Sequence, residues 1–199
     1  MQGTRTIAGT EPAGSGDGDE LAGRRSDYRR IRRAILNGAA AVLAEDPGAS
    51  SSTIAQACGV HRATLFRHFP SRERLTNALL LEYNTELCAA MHRPEPDELM
   101  DRDELVRVTD AMVGAAMRWC VLRYVPLYAP QVDQERARVR HLGRGIIAAA
   151  RRTPGLLRDD VDDEVLLRAW LTPLVTASAP EADPLDVRRA MLVGILRQS

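Results

Sequence analysis

The sequence predicts an all-α chain in two parts, a small N-terminal helix-turn-helix module of three helices and a larger helical domain behind it. Three observations carry this. No segment of useful length alternates apolar and polar residues with the period of two that a strand requires. Apolar residues recur instead at spacings of three and four between proline- and glycine-rich breaks. Between residues 50 and 70 the breaks come so close together that the helices on either side of Gly59 can only be very short.

The elements follow in order. Met1 to Gly23 is rich in Gly, Asp and Thr and has no apolar run, so it reads as a disordered tail and not as a secretory signal. From Tyr28 to about Ala44, the residues Ile31, Ala34, Ile35, Gly38 and Val42 recur on one helical face, with arginines at 29, 30, 32 and 33 between them. Pro47 disfavours helix at the residue before it and Gly48 lets the chain turn, which ends this helix. The hydroxyls of residues 50–53 can cap a short helix reaching about Cys58. Gly59 suits a positive φ in a tight turn, and Val60 can plug the angle to the next helix, from Arg62 to about Phe69. Pro70 breaks that helix, and Ser71 can cap a longer one from Arg72 to about Met91.

The proline- and acid-rich stretch from His92 to Asp103 marks an inter-domain joint. Beyond it, Leu105, Val108, Met112, Ala115, Trp119 and Leu122 form a buried stripe that lasts until Pro126. Val139, Leu142, Ile146 and Ala149 repeat the rhythm over residues 131–152, and helices at about 161–177 and 184–196 complete the set. The organisation is therefore a tail at 1–23, a module at 24–75 with a linking helix to about 92, and a helical domain at 93–199.

Charge separates the two parts. The 199-residue chain has a formal net charge of zero, yet residues 24–75 hold ten arginines against four acids, a local excess of +6. A basic segment in a neutral protein is the footprint of a polyanion-binding end, although a solvated basic surface has the same composition. All 27 basic residues are arginine. Cys58, Cys88 and Cys120 are odd in number, far apart and without a CxxC pair, which predicts a reducing, cytoplasmic setting with no disulfide frame and no zinc site. No apolar run approaches the roughly 20 residues of a membrane span.

Two short helices about a glycine turn have little stability alone and need flanking helices as a scaffold. In a helix-turn-helix the second one enters the DNA major groove with its first residues at base edges. Leu65 and Phe69, at i and i+4, are expected inward with Ile54, Ala55 and Val60, leaving His61, Arg62, Ala63, Thr64, Arg67 and His68 outward. Arg62 is the strongest base reader, because a guanidinium bonds guanine O6 and N7 together. Ala63 and the Thr64 methyl suit a thymine methyl, and the Thr64 hydroxyl a phosphate or a base. His68 and Arg72 suit phosphates. The alternatives are a partly buried structural role for His68, solvated charge for Arg67 and simple core filling for Cys58.

Residues 31–75 resemble the DNA-binding domain of the TetR family of bacterial transcription regulators. The shared pattern is Ile54-Ala55, Gly59-Val60, Thr64-Leu65 with the aromatic Phe66, then His68-Phe69 and a basic residue at Arg72. The resemblance implies DNA contacts from Ser51, Arg62, Ala63, Thr64, Phe66, His68 and Arg72. Phe66 stands where the family commonly has tyrosine and lacks the hydroxyl. His61 stands where serine, a better N-cap, is often found.

The resemblance further implies that residues 93–199 form a ligand-binding and dimerisation domain, with the last two helices building a four-helix interface between protomers. Leu167, Leu171, Leu174, Val175, Met191 and Ile195 are the expected interface residues; a larger monomer core is the alternative. Met112, Met117, Trp119, Cys120, Tyr124, Tyr128, His141 and Trp170 are the expected lining of a pocket for an apolar or aromatic small molecule, against the plainer reading of most of them as core. The function these features predict is a homodimeric, sequence-specific DNA-binding regulator of transcription. It acts as a repressor that leaves a pseudo-palindromic operator when a small ligand binds. The alternatives are a non-specific architectural DNA binder and an enzyme on a helical bundle. The enzyme is disfavoured because no nucleophile–base set, metal-ligand pair or phosphate-binding loop is visible. No cofactor, metal or catalytic residue is expected.

Overall fold

The computed structural model describes residues 16–93, 98–119, 133–178 and 181–197. Its regular structure there is helical, apart from one isolated antiparallel bridge between Leu157 and Leu196. The first helix, α1 (Gly16–Glu45), begins inside the segment that composition assigned to a disordered tail, which corrects that boundary. Its buried face is Ile35, Leu36, Ala39, Ala40 and Leu43, with Ile31 and Val42 packed at the margin. Ala34, expected inside, is exposed.

Helices α2 (Ser51–Ala57) and α3 (Arg62–His68) are seven residues each. Ser50 caps α2, its hydroxyl accepting the Thr53 N–H at 3.1 Å. Gly59 takes φ +65°, as the turn requires, and the Val60 N–H returns to the Ala55 carbonyl at 3.0 Å. Against α1 the fit is close. A Cβ placed on Gly38 would lie 2.6 Å from the Cys58 sulfur, and the thiol donates to the Ile35 carbonyl at 3.5 Å. Burial pushes the Cys58 thiol pKa up, so it stays protonated as a small apolar wedge.

Leu65 and Phe69 are buried as expected, but so is His68, only 6 % exposed. The ring of His68 lies 4.2 Å from that of Tyr28 on α1, and the Arg32 guanidinium sits 4.5 Å over the ring of Phe69. These stacks tie the C-terminal end of α3 to α1. Neither ring nitrogen of His68 has a hydrogen-bond partner among the described residues. Burial, with Arg67 and Arg32 nearby, pulls its pKa below the ordinary 6.5 and keeps the ring neutral.

Helix α4 (Arg72–Ala90) is capped by Ser71, which accepts the Arg74 N–H at 3.2 Å. Leu75, Leu79, Leu80, Tyr83, Leu87 and Cys88 are buried along it. It packs on α1 at one end and on α5 (Arg102–Arg118) and α6 (Asp133–Arg151) further along. The joint after it is clasped, not loose. Arg93 donates to Glu104 at 2.7 Å and to the Glu98 and Leu99 carbonyls, while the Thr153 hydroxyl donates to the Met100 carbonyl at 2.8 Å.

Arg151, at the end of α6, donates to the Arg158 and Val161 carbonyls and to Asp163, which fixes the turn into α7 (Asp163–Leu171). The helix expected over 161–177 is divided: α7 passes at Thr172 into a 3₁₀ segment (Thr172–Ser178), because Pro173 has no N–H to continue the α ladder. Helix α8 (Pro184–Val193) also stops short of its expected end. Ile195 and Arg197 instead exchange backbone hydrogen bonds with Arg158 and Leu156. Trp170, fully buried, donates its indole N–H to the Thr109 hydroxyl at 3.0 Å and so joins α7 to α5.

This packing sets two expectations for stability. Gly38→Ala should lower unfolding stability by about 1–3 kcal/mol through overpacking against the sulfur, and Cys58→Ala should recover much of that loss in the double variant. Chemical unfolding of the four proteins of that cycle measures the coupling. For His68, the folded pKa is depressed, so its contribution is complete above 6.5 and is lost as pH falls through the folded value. The urea midpoint should therefore drop below pH 6.5 in the natural protein, and the part due to this ring should vanish in His68→Phe.

Candidate nucleic-acid interface

Around the glycine turn the chain presents one continuous exposed surface. His61, Arg62, Ala63, Phe66 and Arg67 of α3 are exposed, and Thr64 is half-buried. Leu65, His68 and Phe69 hold the opposite face of the helix down. Period 3.6 makes the division sharp, since residues three and four apart share a side. His61 occupies the N-cap without a side-chain hydrogen bond, as expected for a residue that caps poorly. The Arg62 guanidinium lies 5.2 Å from the centroid of the Phe66 ring, one turn further on. Neither Arg62 nor Arg67 forms an ion pair among the described residues, so both present uncompensated positive charge.

Of the expected contact residues, His68 is placed differently, while Arg72 is exposed and Ser51 half-buried. His68 is inside, stacked on Tyr28, because the turn at Pro70 draws this end of α3 onto α1. Arg72 has at least two donors committed: it bonds the Ala49 carbonyl at 2.8 Å and the Pro47 carbonyl at 2.6 Å, bracing the loop between α1 and α2. Ser51 is half-buried at the first turn of α2, where Ser50 does the capping. Sequence reasoning missed Tyr28 and Arg32 as the residues that seat α3. The signal was present, since both sit at helical spacing from Ile35 and Leu36 on the same stripe.

The expected interface between protomers changes more. Leu167, Leu174, Met191 and Ile195 are 3 %, 3 %, 0 % and 0 % exposed, and all lie in the chain's own core. Leu167 is wedged against Gly143 of α6, where an added Cβ would come within 2.6 Å of it. Only Val175 is open, at 47 %, with Leu171 half-buried. The apolar residues that this end of the molecule exposes are Val165 of α7, Val175, and Leu185 and Val193 of α8.

The expected pocket residues are likewise divided. Met112, Trp119 and Trp170 are buried, and Met117 is partly buried against the same core. Trp170 already has its hydrogen bond, so it acts as packing. His141 is exposed on α6 and far from that group in environment. It borders a cavity of about 520 Å³ with Met91, His92, Leu142, Gly145 and Ile146. A second cavity of about 440 Å³ lies beside Asn84, Cys88, His92, Glu135 and Arg138. Both reach His92, at the end of α4. Cys120, Tyr124 and Tyr128 lie outside the described residues.

Comparison with known proteins agrees with this geometry. Residues 35–79 match the sequence pattern of bacterial regulatory proteins of the tetR family. The HTH-type transcriptional repressor LfrR of Mycolicibacterium smegmatis is 43 % identical over 67 residues, which are 34 % of this chain and 35 % of the repressor. The match thus spans about a third of that relative's length. In fold, the chain is similar to PfmR of Thermus thermophilus, with a TM-score of 0.62 at 20 % identity over 83 % of this chain and 98 % of that one. It is similar to LfrR from Mycobacterium smegmatis, solved in complex with proflavine, with a TM-score of 0.61 at 24 % identity over 85 % and 99 %. Residues 35–79 thus carry the helix-turn-helix pattern of tetR-family regulators, on a chain whose helical fold is similar to theirs.

Proposed function

We propose that this protein is a homodimeric transcriptional repressor that reads a pseudo-palindromic DNA operator with α3 and leaves it when a small apolar or aromatic molecule binds the helical domain. The observation that carries the reading is the division of α3: an anchored side of Leu65, His68 and Phe69, and an exposed side of His61, Arg62, Ala63, Phe66 and Arg67. A buried Arg62 would have removed its main support. Arg62 reads a base edge, with Ala63 and Thr64 against a neighbouring methyl group or phosphate, while Arg67 contacts the backbone.

Dimerisation supplies the second reading head, because two recognition helices must reach major grooves about one helical turn apart. The surface best suited to it is the exposed apolar set Val165, Val175, Leu185 and Val193, with Leu171 and Leu192 at its margin. For the effector, the cavities beside His92 are the best-suited sites, and the proflavine complex of LfrR supports a small molecule as the ligand class. Helix α4 links them to the DNA end. Its 19 residues span about 27 Å, with the Arg72 brace to Ala49 and Pro47 at one end and Cys88 and Ala89 beside a cavity at the other. A ligand that favours one tilt of α4 by a few kcal/mol changes the spacing of the two heads and hence operator occupancy.

The test of the DNA reading is selection of duplexes from a random pool, followed by binding titrations at fixed salt against scrambled DNA. Arg62→Ala should lower the preference for the selected sequence by about 1–3 kcal/mol per contacted base pair and leave non-specific affinity nearly unchanged. Equal affinity of the natural protein for selected and scrambled DNA would instead favour the architectural alternative. The dimer surface is tested separately. The Leu185→Glu, Val193→Glu double variant should sediment as a monomer at concentrations where the natural chain is a dimer, with its far-ultraviolet circular dichroism unchanged because both residues are exposed.

A further inference from the structure

Helix α1 continues well beyond the part that packs. Residues 22–30 are all exposed, Tyr28 in part against His68, yet the face that buries Leu43, Ala39, Leu36 and Ile35 runs on toward the N-terminus without a break. At spacings of three and four it passes through Arg32, Arg29, Tyr28 and Arg25. The stripe is apolar where α1 lies on the other helices of the module, and it becomes aromatic and cationic as α1 passes the end of α3. Two contacts fix the place of that change: Tyr28 on His68, and Arg32 over Phe69. Arg25 and Arg29 therefore project on the side of α1 that faces the reading helix, beyond that helix's C-terminal end.

Among the described residues their charge has no acidic partner. Asp27 is the only acid between residues 22 and 33, and it pairs with Arg30 at 3.2 Å. Arg25 and Arg29 form no ion pair among the described residues. At i and i+4 they repel one another, so a bare extension carries an electrostatic cost in water that a polyanion would relieve. We propose that Arg25 and Arg29 grip the DNA phosphate backbone just outside the base-read half-site, adding affinity without adding sequence choice. This rests on the DNA-binding reading of α3 and extends its footprint along α1.

The experiment compares the natural full chain with two double variants, Arg25→Gln/Arg29→Gln and Arg25→Lys/Arg29→Lys, on a duplex selected by the natural protein. The readout is the slope of log affinity against log salt. Loss of two phosphate contacts should make the slope shallower by about 0.9 for each contact removed, or about two per half-site. The lysine pair should keep the natural slope. The ratio of selected to scrambled affinity should stay the same in all three proteins, and trimming the base pairs outside the half-sites should abolish the difference between them. Equal slopes for the natural and glutamine proteins, with sequence preference intact, would overturn this inference and leave the reading by α3 standing. Absence of any sequence preference in the natural protein would overturn both.

Discussion

The N-terminal module depends on how two helices of seven residues are held in place. Neither is long enough to persist in water, because the first turn of a helix fixes several residues for a single hydrogen bond and seven residues recover little of that cost. Their order comes from α1. At one end of the pair Gly38 lets the Cys58 sulfur and the turn after α2 come close to the α1 backbone. At the other end Tyr28 and Arg32 lie on the rings of His68 and Phe69. These two points of attachment fix the orientation of α3 about its own axis, and that orientation decides which side chains a groove would meet. The polar ring of His68, buried without a hydrogen-bond partner among the described residues, is tolerated because the same packing keeps it neutral and stacked.

The second structural dependence runs along α4. The loop before α2 is held by the Arg72 guanidinium, so the first turn of α4 is joined to the module by two charge-assisted hydrogen bonds. At its far end α4 lies beside α5 and α6 and enters a clasp formed by Arg93, Glu104 and the backbone of residues 98–100. Arg72 thus ties the loop before α2 to the first turn of α4, while the residue itself remains exposed.

Much of this was legible in the sequence, and the parts that were not share a physical cause. Breaks, caps and the positive φ of Gly59 are local, so Pro47, Ser50, Gly59, Pro70 and Ser71 marked the ends of α2 and α3 and the start of α4 almost residue by residue. The inward faces of Leu65 and Phe69 follow from periodicity alone. Burial of His68 does not, since it depends on Tyr28, distant in sequence and on another helix. The interface residues failed for a related reason. Leu167, Leu174, Met191 and Ile195 are apolar positions at helical spacing, but periodicity cannot say whether a face is covered by the chain itself or by a second copy. Exposure separates them, and it moves the candidate surface to Val165, Leu185 and Val193. Beyond Val193 the backbone bonds to residues 156–158, a pairing distant in sequence that ends α8 early.

Of the two departures from the tetR pattern on this surface, His61 and Phe66, the second has a physical meaning. Phe66 lacks the hydroxyl that a tyrosine would offer a phosphate, which by itself removes one contact. Its ring remains in reach of the Arg62 guanidinium, 5.2 Å away, and a cation held over an aromatic face loses rotational freedom before any DNA arrives. Arginine recognises guanine through a rigid planar fork, so its affinity and its selectivity both improve when the fork is oriented in advance. At 38 % exposure Phe66 is open enough to meet a sugar or a base methyl, yet covered enough to hold Arg62 over it. At this position, then, the ring offers no hydroxyl and instead holds the Arg62 guanidinium against its face.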